Sequence, residues 1–226
     1  MLMYKALDHK GLDAPKDTQW CLPNEKGVKW MPAVSDEFIS ASFGWEVHTP
    51  ISLATHLDDV IWEVEVDDEI RVDPETSGLY SRRCRLLRQL EEWNEVTRAN
   101  FCADCARRIV GLATNPEFAE ATIDREMIMW KRDGEDTYSQ PPFISLEDAL
   151  DSVFDIPDDA PESELAMPWA DVSISAAWRS HARWAATAAL YSIWASGGDR
   201  DAETNYQASR LAHYVPEIAN APAAPH

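Results

Sequence analysis

Two cysteines stand three positions apart, at Cys102 and Cys105, a spacing that can support redox exchange or zinc binding. A redox pair of this kind lies where a strand leads into a helix, and a zinc site needs a second pair or added histidines. Here the pair falls within a helical pattern, and the chain has no second CxxC and no HxxxH. We therefore interpret both as reduced core residues, with zinc binding and redox exchange as the weaker alternatives.

The remaining reactive residue types form no arrangement typical of catalysis. The six histidines have no metal-ligand spacing, and the chain contains no GxSxG, Walker A, HExxH or GxGxxG motif. Paired acids such as Glu63 and Glu65 could bind a metal or act as a general base, but in so acidic a chain a solvated face explains them better. We expect no catalytic residue, no metal site and no cofactor, and the sequence favours a non-enzymatic protein over an enzyme.

A cluster of arginines is more informative. Residues 82–108 contain seven arginines and four acids, and the cluster begins with Arg82, Arg83, Arg85 and Arg88. These side chains could form internal ion pairs with the acidic segments on either side and so join the two halves of the chain. They could instead form a clamp for a phosphate or carboxylate, because a guanidinium binds such groups through two parallel hydrogen bonds.

The acidic residues that flank this cluster give the chain a formal charge of −20. Residues 58–75 contain nine acids and one base, and residues 133–171 contain twelve acids and no base. Nucleic acid is disfavoured as a direct ligand, since phosphate binding relies on Lys and Arg. The charge favours a partner protein with a basic surface. Solubility, or a host whose proteins are adapted to salt, would explain the same composition.

The N-terminal part of the chain has the patterns of a small sheet. Residues 4–7 predict a short strand, and residues 50–57 predict a helix that begins after Thr49, a residue that can cap it. Residues 60–66 predict the clearest strand, because apolar and acidic residues alternate there. This alternation predicts one buried and one solvated face, in the order Trp62, Glu63, Val64, Glu65, Val66.

The period then changes to that of helices. Apolar residues recur at three and four positions over residues 82–112, which predicts one amphipathic helix or two joined near Asn94. Further helices are expected at 119–131, at 145–154 with Ser145 as its cap, at 169–194, and at 201–215. The 169–194 helix is rich in Ala and Trp, and we expect it to pack against the 82–112 region.

These elements predict an α+β fold with a small N-terminal α+β unit, residues 1–80, that carries a short antiparallel sheet. This unit would pack on a mainly α-helical region, residues 81–226, in which residues 133–170 form an acidic segment interrupted by prolines. No apolar stretch approaches the roughly 20 residues that span a bilayer. The N-terminus also lacks the apolar run of a signal peptide. We therefore expect no membrane partner and a cytoplasmic location, in the host cytoplasm if a phage encodes the chain.

Residues 88–110, RQLEEWNEVTRANFCADCARRIV, resemble the helix with an Asp-Cys-Ala motif in immunity proteins of bacterial polymorphic toxin systems. They are also similar to uncharacterised actinobacterial and actinobacteriophage proteins. Residues 178–194 and 205–211 resemble the Ala-rich and final helices of that family, and the N-terminal segments 4–7, 20–23, 29–32 and 61–66 are similar to the start of the phage-type members. The resemblance implies a protein that neutralises or redirects a partner, and it assigns no catalytic residues.

The leading hypothesis is therefore a non-enzymatic interaction protein, either a phage accessory factor that acts on a host protein or an immunity-type inhibitor of a cognate protein. Its binding surface would lie in the 133–171 segment. Aromatic residues supply most of the binding energy of an interface, and acids accelerate association with a basic partner. The expected anchors are Tyr138, Phe143, Phe154 and Trp169, and the expected steering acids are Asp155, Asp158 and Asp159.

Three alternatives remain open from the sequence. The acids could imitate DNA phosphates and inhibit a nucleic-acid-binding protein. The N-terminal unit could bind a nucleotide, as in ADP-ribosyltransferase-like enzymes, through the loop from Trp20 to Trp30 and the acidic strand. The chain could also form homo-oligomers through an aromatic surface made of Trp178, Trp184, Tyr191 and Trp194.

Overall fold

The computed structural model describes residues 2–13, 18–24, 27–33, 45–67, 70–73, 78–129, 144–157 and 159–219. Helices and small antiparallel sheets together make an α+β fold, the predicted class. The chain divides into two compact units. Unit 1 contains Met1–Trp93 and Val215–His226, and unit 2 contains Asn94–Tyr214. The division falls after Trp93 and not at residue 80, because residues 84–89 form a strand of the N-terminal sheet.

Unit 1 is built from short antiparallel strands. A three-stranded sheet has the order β1-β5-β8, a second has the order β4-β7-β6, and β2 pairs with β3. A backbone bridge joins the first two sheets, because Tyr4 and His48 exchange N–H···O bonds of 2.9 and 2.8 Å. The strands are β1 Leu2–Leu7, β2 Leu12–Asp13, β3 Thr18–Gln19, β4 Trp45–Val47, β5 Val60–Val66, β6 Arg71–Val72, β7 Leu79–Ser81 and β8 Cys84–Gln89.

The helix predicted from residue 82 is wrong in its first part, which is strand β8. Cys84 and Leu86 are buried and alternate with half-buried Arg85, as in a strand that has one apolar face. Apolar residues at 86, 87 and 90 satisfy a helical period equally well, and pairing with β5 decides between the two. Of the two alternatives, the start of a separate helix near Asn94 is confirmed, since the Asn94 side chain accepts hydrogen bonds from the N–H groups of Val96 and Thr97.

The solvated face predicted for β5 is also wrong at one position. Glu63 is only 8% exposed, because β5 is the central strand and β1 and β8 flank it on both edges. Its carboxylate is satisfied by Arg88, whose Nε and Nη2 donate to the two oxygens at 2.7 and 2.6 Å. Glu65 is half-buried and accepts from Arg85 Nε at 2.6 Å. The alternation in the sequence therefore marks one apolar face and one face of paired charges.

Unit 2 is helical. It contains α2 Glu95–Arg107, α3 Pro116–Met129, α4 Leu146–Phe154, α5 Ala166–Trp178, α6 Ala182–Ala195 and α7 Arg200–Tyr214, with 3-10 helices at Val110–Leu112 and Glu162–Leu165. Two short helices, α1 Pro50–Leu53 and α8 Pro216–Ala219, belong to unit 1. The predicted caps are confirmed, because the Thr49 hydroxyl accepts from Ser52 N–H at 3.2 Å and the Ser145 hydroxyl accepts from Asp148 N–H at 3.1 Å.

The Ala-rich region forms two helices and not the single helix expected over residues 169–194. The chain reverses between α5 and α6, where Ser180 has a φ of 54°. Their backbones lie close enough for Ser173 Oγ to donate to the Ala185 carbonyl at 2.8 Å and for Ser192 Oγ to donate to the Ala166 carbonyl at 2.7 Å. Helix α2 packs against both. Among the described residues, no helix combines the length and apolar character that a membrane span requires.

The close approach of α5 and α6 generates the first prediction. Ala185→Leu adds three carbons to a fully buried position and should lower the free energy of unfolding by about 1–3 kcal/mol, because the helices must separate or the side chain must strain. Ala202→Leu, at an exposed position of α7, is the matched control and should change it by less than about 0.5 kcal/mol. Urea unfolding measures both, and equal effects would contradict the tight interface.

The ion pairs between β5 and β8 generate the second prediction. Arg88→Met leaves a buried carboxylate without its donor and should cost about 1.5–3 kcal/mol in the free energy of unfolding. Arg83→Met is the control, because Arg83 pairs with an exposed Asp67 at 3.0 Å and such pairs contribute at most about 1 kcal/mol. If urea unfolding showed the two substitutions to be equivalent, the burial of Glu63 would have no energetic consequence.

Candidate functional site

The arginines singled out in the sequence lie in unit 1. Arg88, Arg85 and Arg83 contact Glu63, Glu65 and Asp67 respectively, three acids of the 58–75 segment. The guanidiniums of Arg83 and Arg85 also lie over the Trp30 ring, at 4.7 and 4.5 Å from its centroid. Arg82 is half-buried and lies between β7 and β8. The cluster therefore lies on β8 and just before it in the chain, at one edge of the β1-β5-β8 sheet.

The described part of the expected binding surface lies in unit 2. Phe154 ends α4 with 72% of its surface exposed, and Asp155 and Asp159 follow it as exposed residues. Trp169 is half-buried in α5 and stacks on Tyr191 of α6, with 5.2 Å between ring centroids. Three other residues of this prediction, Tyr138, Phe143 and Asp158, lie outside the described residues.

Helix packing brings these aromatics to one end of unit 2. Helices α4 and α5 run antiparallel, since Ser175 Oγ donates to the Ile144 carbonyl at 2.9 Å while Val153 shares a core with Trp169. The C-terminal end of α4 therefore meets the start of α5, where the C-terminal end of α6 also arrives through Ser192. We call this the aromatic end, and it comprises Phe154, Met167, Trp169, Tyr191 and Trp194.

Much of the aromatic end is open to solvent. Met167 is 48% exposed and Trp194 is 40% exposed, and the Tyr191 ring contacts Trp194 edge to face at 6.3 Å. Exposed acids surround it in sequence and form what we call the acidic rim: Asp155, Asp159, Glu162 and Glu164. From residue 133 to residue 178 the sequence contains no Lys or Arg. Apolar surface beside negative charge therefore characterises this end.

The Asp-Cys-Ala motif has a structural role in unit 2. Asp104 of α2 accepts hydrogen bonds from Arg210 Nε at 2.7 Å and from the Tyr214 hydroxyl at 2.6 Å, and so ties α7 to α2. Burial and the hydrogen bond to Asp104 raise the pKa of Tyr214 to about 12. In the same helix, buried Gln207 donates to the Ala186 carbonyl at 2.9 Å. The residues that carry the family resemblance thus position the last helix of the unit.

The cysteine pair lies where the sequence placed it. Cys102 and Cys105 are fully buried in α2 as reduced thiols, which confirms the prediction that they are core residues. Burial is the main cause that raises the pKa of Cys105 well above its usual range, and the neighbouring Cys102 adds to it. Because the thiolate is the reactive form, this environment opposes redox chemistry and metal binding.

Sequence reasoning missed one group of residues in unit 1. Glu46, His48 and His56 lie together, and each offers a ligand atom within 4.8 Å of the other two. Glu46 and His48 are two positions apart on one extended segment and so share a face, which is the one signal available from sequence. His56 reaches them because α1 and the turn after it bring the chain back, so that the His48 and His56 rings stack at 4.4 Å.

Comparisons with known proteins add no identification, because no protein-family model, no curated protein and no solved structure matches the chain. The resemblance to immunity proteins therefore stays a prediction.

Burial of the cysteines generates the third prediction. In native protein at about pH 8, a thiol reagent should label one cysteine quickly, Cys21, because it is half-buried whereas Cys84, Cys102 and Cys105 are buried. Cys21→Ser should remove this fast labelling, and unfolding in urea should expose the other three. Rapid labelling of Cys102 or Cys105 in the folded protein would instead support a reactive pair.

Proposed function

We propose that the chain is a non-enzymatic interaction protein that binds a basic segment of a partner protein through the aromatic end of unit 2. The observation that carries the proposal is the exposure of Phe154, Met167 and Trp194 at one end of the helices, beside an acidic rim. The partner would be a host or cognate protein in the cytoplasm. In that setting the chain would act as a phage accessory factor or an immunity-type inhibitor, as the resemblance implies.

The apolar part of the surface supports the proposal through its binding energy. Large aromatic and Met side chains are enriched in the centres of interfaces, where their desolvation stabilises the complex. Phe154 is among the most exposed large apolar residues described, and its position at the end of α4 lets it enter a pocket without unfolding the helix. Trp169 and Tyr191 would add a rigid aromatic pair at the same end, because their stacked rings are held in α5 and α6.

The acidic part supports it through kinetics and selectivity. Carboxylates around an apolar centre attract a basic partner over about 8–10 Å at physiological salt and repel acidic ones. Neutralising the acids of the rim should therefore lower the association rate and change the dissociation rate much less. A partner segment that combines Lys or Arg with apolar residues satisfies both parts of the surface.

The fourth prediction concerns capture from a lysate of the cells that express the protein. Wild-type protein should retain a basic partner that Phe154→Ser loses, because the substitution removes an apolar anchor. Phe118→Ser is the matched control, since Phe118 is 53% exposed on α3, a helix that contributes no residue to the aromatic end, and it should retain the partner. Equal retention by both variants would place the binding surface elsewhere.

The charge contribution is measured with the purified partner. The double substitution Asp155→Asn/Asp159→Asn should lower the association rate severalfold at low salt, and the difference should shrink at high salt. Glu91→Gln/Glu120→Gln changes the net charge equally at exposed positions outside the rim and should leave the rate near that of the wild type. Equal rates for the two doubles would refute a local role for the rim.

Two further measurements distinguish other occupants of the aromatic end. Competition between the protein and DNA for the captured partner would indicate that the acids imitate phosphates. A concentration-dependent sedimentation coefficient that Phe154→Ser abolishes would indicate that a second copy of the chain occupies the aromatic end. Each result names a different occupant of one surface.

A further inference from the structure

Glu46, His48 and His56 of unit 1 bring together one carboxylate and two imidazoles, with a ligand atom from each within 4.8 Å of the other two. No part of the proposed function uses these residues, since the aromatic end lies in unit 2. His48 is 3% exposed, Glu46 is half-buried and His56 lies at the surface. Such a group is open on one side and closed on the other, as a site that admits an ion from solvent must be.

The local fold holds the cluster in place. His48 is fixed by its backbone bonds to Tyr4 of β1. Thr49 then caps α1 in a reciprocal arrangement, because its side chain accepts from Ser52 N–H while Ser52 Oγ accepts from Thr49 N–H at 3.0 Å. The turn that follows α1 carries His56. The histidines thus flank a short helix whose N-terminus is fixed by a capping box.

A hydrogen bond fixes which ring nitrogen of His56 carries the proton. Its Nδ1 lies 2.8 Å from the Ser52 carbonyl oxygen, and a carbonyl oxygen can only accept. Nδ1 therefore carries the proton, and in the neutral ring the lone pair is on Nε2. Metal-binding histidines are typically oriented in this way, with one nitrogen donating to a carbonyl and the other facing the ion.

The charges around the cluster favour a cation. Lys5 is buried and its ammonium lies 2.7 Å from Asp13 and 3.7 Å from Glu46, so one base faces two acids. The surroundings therefore keep a formal charge of −1 when the imidazoles are neutral. Neutral rings also suit the stacking of His48 on His56, with 24° between their planes, because two imidazolium cations at this separation would repel each other.

We propose that Glu46, His48 and His56 form a binding site for a divalent first-row transition metal ion, with zinc as the best fit. Two nitrogens and one oxygen match zinc and its neighbours, whereas calcium and magnesium prefer oxygen ligands throughout. Zinc–ligand bonds of about 2.0–2.2 Å in a tetrahedron place ligand atoms roughly 3.3 Å apart, so the cluster would close slightly on the ion. A water or a partner's side chain would complete the coordination.

Binding would join β4 to the turn after α1. An ion held by the folded state alone stabilises it by mass action, so the metal would stabilise unit 1 and restrict the α1 segment. With three ligands from the protein, one coordination position stays open. The site would thus stabilise the fold and still leave one position of the ion open to a further ligand.

The fifth prediction uses tag-free, full-length protein that has been treated with a chelator and dialysed. Calorimetric titration with zinc should give one ion per chain with micromolar or tighter affinity. Glu46→Gln and His56→Ala should each weaken the affinity at least about tenfold. His213→Ala removes an exposed histidine of α7 in unit 2 and should bind zinc as the wild type does.

Cobalt binding provides a spectroscopic readout that is independent of calorimetry. Co²⁺ in a site with nitrogen and oxygen ligands gives visible absorption bands, which zinc should abolish by displacement and which His56→Ala should lack. Circular dichroism establishes that each variant is folded. Binding by His56→Ala that equals the wild type, absence of a one-to-one zinc complex, or tighter binding of calcium than of zinc would overturn the proposal. None of these results depends on a protein partner.

Discussion

The close approach of α5 and α6 is the constraint on which unit 2 depends. Most of the buried residues of the two helices are Ala or Ser, and two serine hydroxyls donate to carbonyls of the facing helix, so the contact leaves little room for a larger side chain. The tryptophans of this region must therefore lie at the edges and ends of the pair. Trp169 stacks on Tyr191, whereas Trp184 and Trp194 remain partly exposed to solvent. The aromatic end is thus a consequence of the same packing that stabilises the helices.

A second constraint acts on unit 1, where the central strand carries charge. Strand β5 has neighbours on both edges, and a carboxylate on such a strand is costly unless a donor accompanies it. Arg88 supplies two hydrogen bonds to Glu63, and Arg85 pairs with Glu65. The hydrogen bond to Glu63 is the main cause that raises the pKa of Arg88, so its guanidinium remains charged at any physiological pH. Arginines and acids that are separated by about twenty residues in sequence are therefore parts of one sheet.

Local signals were sufficient for much of this fold. Thr49, Asn94 and Ser145 each cap the helix that the sequence placed after them, because a cap depends only on residues within one turn. The β8 strand was missed because its leucines fit both periods and only the partner strand decides. The Glu46–His48–His56 cluster was missed for a related reason. Its third member arrives through a chain reversal, and no spacing rule encodes the position of a ring after a short helix and a turn.

The net charge of −20 resolves into two different roles when each block of acids is located. Three acids of the 58–75 segment, Glu63, Glu65 and Asp67, lie on or beside β5 and contact arginines of the same unit, so the charge of these three is compensated where it arises. The acids of the 133–171 segment that form the acidic rim are exposed and lie within a stretch of sequence without Lys or Arg. Compensated charge stabilises a sheet and projects little field, whereas exposed charge in one place projects a field that a partner can follow. Bulk acidity alone would not separate these cases. The position of the arginines does, because it pairs Glu63, Glu65 and Asp67 within the sheet, whereas the acidic rim lies in sequence beside the exposed Phe154 and Met167.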